Sequence, residues 1–224
     1  MSNTLNNNSI NTVNLDSKVM TMSINNIVKE FFPEAKLLAS GFQGSVYALN
    51  ETIVIKAIVE GLSWQVASGD FEPVDKLAMQ WANNVNGLVI KYKDHIQVED
   101  VGDLIATERV YPCVVTAFTK EQIINAIDVA EAELEELWAS GWAHCDLKRP
   151  EMVKKVYNES KDDILFNNIV LTKVNNQCVI RLIDIGTANL EQYDEDDKIE
   201  EHIDKDRGDW QSYKDWILNY PRQH

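Results

Sequence analysis

The sequence predicts an α+β fold in two parts, a β-rich N-terminal block with one helix and a helical C-terminal part carrying a short hairpin. Three observations lead there. Strand-like runs cluster between Ala35 and Val59. Ile123, Ile127, Ala130, Leu134 and Leu137 recur at three- and four-residue spacing, the mark of a helix with one buried face. Two apolar runs, Ile169–Leu171 and Cys178–Ile183, are spaced as a β-hairpin.

Taken in order, Met1–Asp16 is dominated by Asn, Ser and Thr. Such a stretch cannot bury enough apolar surface to offset the entropy of ordering, so residues 1–22 are expected to form a flexible leader. A short amphipathic helix is expected over Ile24–Phe32. Strands are predicted at Ala35–Ala39, Ser45–Leu49 and Thr52–Val59, the first two joined by a glycine-containing turn and the next by Asn50-Glu51. A helix is predicted from Pro73 to Asn84, with Pro73 suited to its first turn. Gly87–Tyr92 and Val110–Phe118 are expected to supply two more strands, closing an N-terminal part at residues 23–118. The C-terminal part, residues 119–224, opens with a helix over Lys120–Ser140. Thr119 and Gln122 form a capping box at its start, and Gly141 marks its stop. The hairpin and a last helix around Trp210–Leu218 complete the pattern.

Composition narrows the function. The 224 residues carry a formal net charge of −15, which repels a phosphate backbone and argues against nucleic acid as partner. The charge is concentrated in Glu191–Asp206, expected to be a solvated face. The longest apolar stretches, Tyr111–Phe118 and Val179–Ile185, are too short to span a bilayer, and no secretory signal block is present. Cys113, Cys145 and Cys178 are widely spaced and predict reduced thiols in a cytosol, and the four histidines show no ligand spacing.

Three stretches carry chemistry. His144-Cys145-Asp146-Leu147-Lys148 follows the long helix. A carboxylate there can take the proton of an attacking hydroxyl, and the neighbouring lysine can neutralise phosphate charge as it develops. Leu182-Ile183-Asp184-Ile185-Gly186 ends a buried strand, where an acidic residue can hold Mg²⁺. In Ala39-Ser40-Gly41-Phe42-Gln43-Gly44-Ser45-Val46-Tyr47, Gly41 and Gly44 let backbone N–H groups approach phosphate oxygens without a Cβ in the way. The next strand brings Lys56 after Ile53-Val54-Ile55, and a lysine in so apolar a strand is costly unless it meets an anion. ATP phosphates are such a partner.

The order of these pieces, a glycine loop between strands, a strand lysine, a catalytic-loop Asp after a helix and an Asp-x-Gly after a hairpin, resembles the protein-kinase signature set. The resemblance covers about Leu37 to Leu218. It implies a bilobal kinase-like fold, ATP and Mg²⁺, and these roles. Gly41 and Gly44 cover the phosphates together with Ser45, Ala39 replacing the first glycine. Val46 and Val54 lie against the adenine, and Lys56 contacts the α/β-phosphates. Thr116–Thr119 form the hinge, with Thr116 near the gatekeeper position and Phe118 beside it. Asp146 is the catalytic base, Lys148 its phosphate-neutralising neighbour, and Asp184 chelates Mg²⁺.

The chain also departs from that family. Five residues after Asp146, where the family has its second metal-ligating Asn, stands Glu151. Asn168, which leads into the hairpin, is the favoured ligand, with Asn167 or Glu151 as alternatives. This implies an insertion over residues 149–167, tolerable because loop-closure cost grows slowly with length. The lysine's helix partner falls on Asp75 in place of Glu, with Glu72 as the alternative. Cys145 stands where regulated kinases carry Arg. Gly208-Asp209-Trp210-Gln211-Ser212 resembles the family's next helix, whose Asp-x-x-Ser element braces the catalytic loop.

The shortened C-terminal part resembles the minimal effector kinases that bacteria inject into host cells by type III secretion, and the leader suits such a signal. The resemblance therefore implies a Ser/Thr protein kinase of the host cytosol, acting on a host protein and with room for an activating host partner. A pseudokinase binding module is the alternative. A small-molecule phosphotransferase ranks last, because the histidine that usually follows its catalytic Asp is missing.

Overall fold

A computed structural model describes residues 23–40, 44–59, 61–98, 101–147, 168–194 and 198–220. The leader, the insertion, Gly41, Lys148, Glu151 and Asn167 lie outside the described residues. The fold is α+β, as expected. It divides into two units: residues through Lys76 with Lys91–Arg109, and Leu77–Ile90 with the residues from Val110 onward. The division therefore does not run at Phe118, and most of the predicted Pro73–Asn84 helix belongs to the second unit.

The first unit is an antiparallel five-stranded sheet with one helix against it. Helix α1 (Ile24–Phe31) is followed by β1 (Lys36–Ser40), β2 (Gly44–Ala48) and β3 (Ile53–Ile58). Next come the small β4 (Ser63–Gln65) and β5 (Phe71–Pro73), then β6 (Tyr92–Val98) and β7 (Gly102–Glu108). The large sheet has the order β1-β2-β3-β7-β6. Ile24, Ile27 and Val28 of α1 are buried with Tyr47, Ile55, Ala57, Leu104 and Ala106, so one sheet face is closed by the helix. Apolar burial of this kind stabilises the unit by about 25 cal/mol per Å² removed from water. Gly44 is required by packing, since a Cβ there would stand 2.0 Å from the Ala57 carbonyl oxygen.

Two strand expectations are corrected. Val110–Phe118 is no strand; it holds only a 3₁₀ turn at Val115–Ala117. Pro112 has no N–H to give a ladder, and Tyr111 and Val114 are exposed. In Gly87–Tyr92, Val89 forms an isolated bridge parallel to Leu182, and Tyr92 is the first residue of β6. The strands that complete the sheet are β6, whose Lys93, Asp94, His95 and Gln97 leave little apolar signal, and β7, whose buried run is only residues 104–107.

The second unit is built on helix α3 (Lys120–Ala139). The rest of helix α2 (Val74–Val85) belongs to it from Leu77 on. The helix α2 begins one residue after Pro73, which instead ends β5 in register with Ser63. The capping box of α3 is present: the Gln122 N–H donates to Thr119 Oγ1 at 3.2 Å, and the Thr119 N–H to Gln122 Oε1 at 3.0 Å. Thr119→Ala is expected to lower unfolding free energy by about 1 kcal/mol, read from the urea midpoint. Gly141, at φ +75°, stops the helix as predicted.

Short strands β8 (Trp142–Ala143) and β11 (Asn189–Leu190) pair with one another. The hairpin β9 (Ile169–Val174) and β10 (Gln177–Leu182) turns through Asn175 and Asn176, both at positive φ. The final helix α4 spans Ile199–Leu218, longer than predicted. Its buried Ile199, Ile203, Asp206, Trp210, Tyr213 and Ile217 follow the three-and-four spacing of one face, which carries it back into the acidic run. Glu200, Glu201 and Asp204 are exposed, as expected of a solvated face; Asp206 is buried. Among the described residues no helix is long and apolar enough to cross a membrane.

Candidate functional site

In the first unit, strand alternation separates two sheet faces. Tyr47, Ile55 and Ala57 go to the α1 side. Val46, Lys56 and Ile105 are register partners on the other face, as are Val54 and Thr107. The predicted lysine and both predicted adenine-packing valines thus share one face. Lys56 Nζ donates to Asp75 Oδ1 at 2.8 Å, and the two side chains are 17% and 6% exposed. Asp75 is the helix carboxylate that reaches the lysine, for a geometric reason: it stands in the first turn of α2, close enough that a short side chain suffices. Glu72, the alternative, instead accepts from Lys76 Nζ at 2.6 Å. A pair this shielded holds the ammonium in place more firmly than a surface ion pair could.

Other expected nucleotide contacts fall elsewhere. Ser45 is paired with Ala57, on the α1 side, and its Oγ is 3.0 Å from Ser40 Oγ. Thr116 is exposed in the 3₁₀ turn, and Phe118 is buried just after it. Neither lies at the end of a sheet strand. Thr107 does: it is 4% exposed on β7, beside Val54, and the chain leaves the sheet directly after Glu108. The strand expected at Val110–Phe118 lies about nine residues earlier, as β7.

In the second unit the loop His144–Leu147 and the open end of the β9–β10 hairpin are tied together. Asn168 Nδ2 donates to the Asp146 carbonyl at 2.7 Å and to Asp146 Oδ2 at 3.0 Å. The Ile183 N–H donates to the Asn168 carbonyl at 3.0 Å, so Asn168 and Asp184 leave the same end of the hairpin. His144 Nε2 lies 2.9 Å from the Ile183 carbonyl oxygen. Asp184 is exposed, with φ +57°, and lies two residues beyond the end of β10. Asn167 and Glu151 are outside the described residues; Asn168, the favoured second ligand, lies beside Asp146. Its amide nitrogen is committed to Asp146, which leaves the amide oxygen as its donor atom for a cation.

The loop is held from α4. Asp206, fully buried, accepts from the His144 N–H at 2.6 Å and from the Cys145 N–H at 3.1 Å. Lys205 Nζ donates to the Cys145 carbonyl. Cys145 itself sits at φ +65°, a strained geometry for a side-chain-bearing residue, and these bonds secure it. The loop is braced through Asp206; of the predicted Asp209-x-x-Ser212 element, Asp209 is buried and Ser212 Oγ donates within the helix to the Gly208 carbonyl. A signal was available, since Asp206 falls three residues after Ile203 and four before Trp210 on the apolar stripe. Burial raises the Asp206 carboxyl above its ordinary range, while His144 and Lys205 pull it down. Burial, reinforced by Asp206, pushes the Cys145 thiol up to about 12, so it is no nucleophile near neutrality.

Among the described residues no group of three or more His, Cys, Asp or Glu side chains could hold a metal alone. Mg²⁺ asks for less: one or two protein oxygens, with phosphate and water completing its octahedron. An exposed carboxylate at Asp184 and the amide oxygen of Asn168 are oxygen donors of that kind. Comparison with known proteins adds nothing to this geometry. No family model matches the chain, and no curated protein does.

Proposed function

We propose that the chain is a minimal protein kinase that transfers the γ-phosphate of ATP to a Ser/Thr hydroxyl of a protein. The observation that carries this reading is the grip of Asn168 on Asp146. Twenty-one residues separate the two in sequence, yet the amide returns to both the carboxylate and the carbonyl of the loop acid. That restores the acid–amide pair that the intervening insertion appeared to break. The Lys56–Asp75 pair supports it independently in the first unit.

On this reading Lys56 binds the α/β-phosphates and Asp75 keeps its ammonium oriented when nucleotide is absent. Asp146 accepts the hydroxyl proton, and the Asn168 bond fixes the carboxylate so that one oxygen faces the substrate. Asp184 and Asn168 would hold Mg²⁺, which supplies charge neutralisation to the phosphates when bound. The brace from Asp206 keeps the loop in one conformation, and positioning is where most of the acceleration in phosphoryl transfer arises.

The test is incubation of purified chain with γ-labelled ATP and Mg²⁺, alone and with a eukaryotic lysate. Label is expected in protein, and Asp184→Ala is expected to lose it. ATP binding with no transfer under any condition would overturn the reading in favour of a pseudokinase. Label in small metabolites would point to a small-molecule phosphotransferase.

A further inference from the structure

Helix α3 and strand β10 of the second unit enclose a groove of about 270 Å³ that the proposed reaction leaves unused. One wall is the helical stripe Gln122, Ala126, Val129, Ala130 and Glu133; the other is β10 from Gln177 to Arg181. The alanines make the groove deep, and Val129 stands 60% exposed on its lip. Val129 and the alanines give this groove an apolar lining.

The strand edge says what form the occupant takes. The two-residue turn at Asn175-Asn176 makes Gln177, Val179 and Arg181 direct their backbone groups to β9. Leu182 points the other way: its N–H donates to the Leu88 carbonyl and its carbonyl accepts from Ile90. Cys178 and Ile180 share that outer edge, and among the described residues no strand pairs with them there. An extended segment laid in the groove would continue the ladder that Leu88–Ile90 begins.

Charge says what composition it has. Helix α3 carries Glu121, Asp128, Glu131, Glu133, Glu135 and Glu136 against Lys120 alone. Glu131 and Glu135 are paired with Lys214 and Arg207, whereas Glu121 and Asp128 make no ion pair among the described residues. Burial raises the Glu133 carboxyl, with Arg181 opposing, so a further cation at that end is favoured. A second copy of so acidic a chain would be repelled. We propose that the groove docks an extended segment of a partner protein, an aliphatic side chain flanked by lysine or arginine, added as a strand to β10.

The inference does not depend on phosphate transfer and is tested by binding. The probes are two fluorescein-labelled peptides of alternating Leu and Thr, one preceded by a lysine cluster and one by a glutamate cluster, titrated into the full chain. The lysine peptide is expected to bind saturably and to shift the amide resonances of Cys178 and Ile180. The glutamate peptide should bind at least ~10-fold more weakly. Val129→Arg should weaken the lysine peptide at least ~10-fold with an unchanged melting curve, because the side chain it replaces is exposed. Asp128→Lys, also on the surface, should weaken it in the same direction. Absence of saturable binding, equal affinity for the two peptides, or undiminished affinity in Val129→Arg would each overturn the proposal.

Discussion

Asp146→Ala is expected to lower transfer of labelled phosphate by about 10²–10⁴-fold, the usual contribution of a positioned general base. The stability cost should be small. The side chain is only partly buried, and the variant keeps the shorter of the two bonds from Asn168, the one to the Asp146 carbonyl at 2.7 Å. The loss should therefore appear in kcat with an unfolding midpoint close to that of the parent chain. Asn168→Ala separates catalysis from mere presence of the acid. It leaves the Asp146 carboxylate in place but removes what orients it, so an intermediate loss is expected. Full activity in Asp146→Ala would remove this residue from the chemistry and the proposed function with it.

The largest effect on stability is expected at Asp206. In Asp206→Ala, the His144 and Cys145 N–H groups lose their acceptor in a buried place. Each orphaned donor costs roughly 1–3 kcal/mol, so a loss of about 2–6 kcal/mol is expected in urea unfolding. The buried carboxylate it removes was itself under strain from desolvation, which holds the loss toward the lower end. Asp206→Asn should fall between, since an amide oxygen serves one of the two donors.

The pH dependence follows from the direction of the shift. Burial raises the folded value above the ordinary 3.8, so the native state holds the Asp206 proton more tightly than the unfolded chain does. Its contribution is full below the unfolded value and is eroded as pH rises through the folded one. Parent and Asp206→Asn should diverge accordingly: the parent loses stability relative to the variant as pH climbs from 4. Parallel curves would mean that Asp206 is not the buried acid inferred.

Much of this was legible in the sequence where one local rule acted alone. Helix α3 declared itself by spacing, capping box and terminal glycine, and the β9–β10 hairpin by two apolar runs. Lys56 stood out because an ammonium in an apolar strand needs a counter-charge, and Asp75 was the right carboxylate despite its short reach. Strand β6 was hidden because its Lys, Asp, His and Gln leave little apolar signal, and β7 because its buried run spans only residues 104–107. Asp206 was hidden by its neighbours, since an acidic run reads as solvent-facing until helical phase is counted.

By itself the sequence determined the α+β class, the long helix, the hairpin and the residue types able to handle phosphate, because these depend on neighbours within a few positions. Only tertiary structure decided that Asn168 returns to Asp146, that Asp75 and not Glu72 meets Lys56, and that Asp206 braces the loop. Each of those is a hydrogen bond between residues 19 to 62 positions apart. Such a bond is set by where packed elements bring two side chains, which no local pattern encodes.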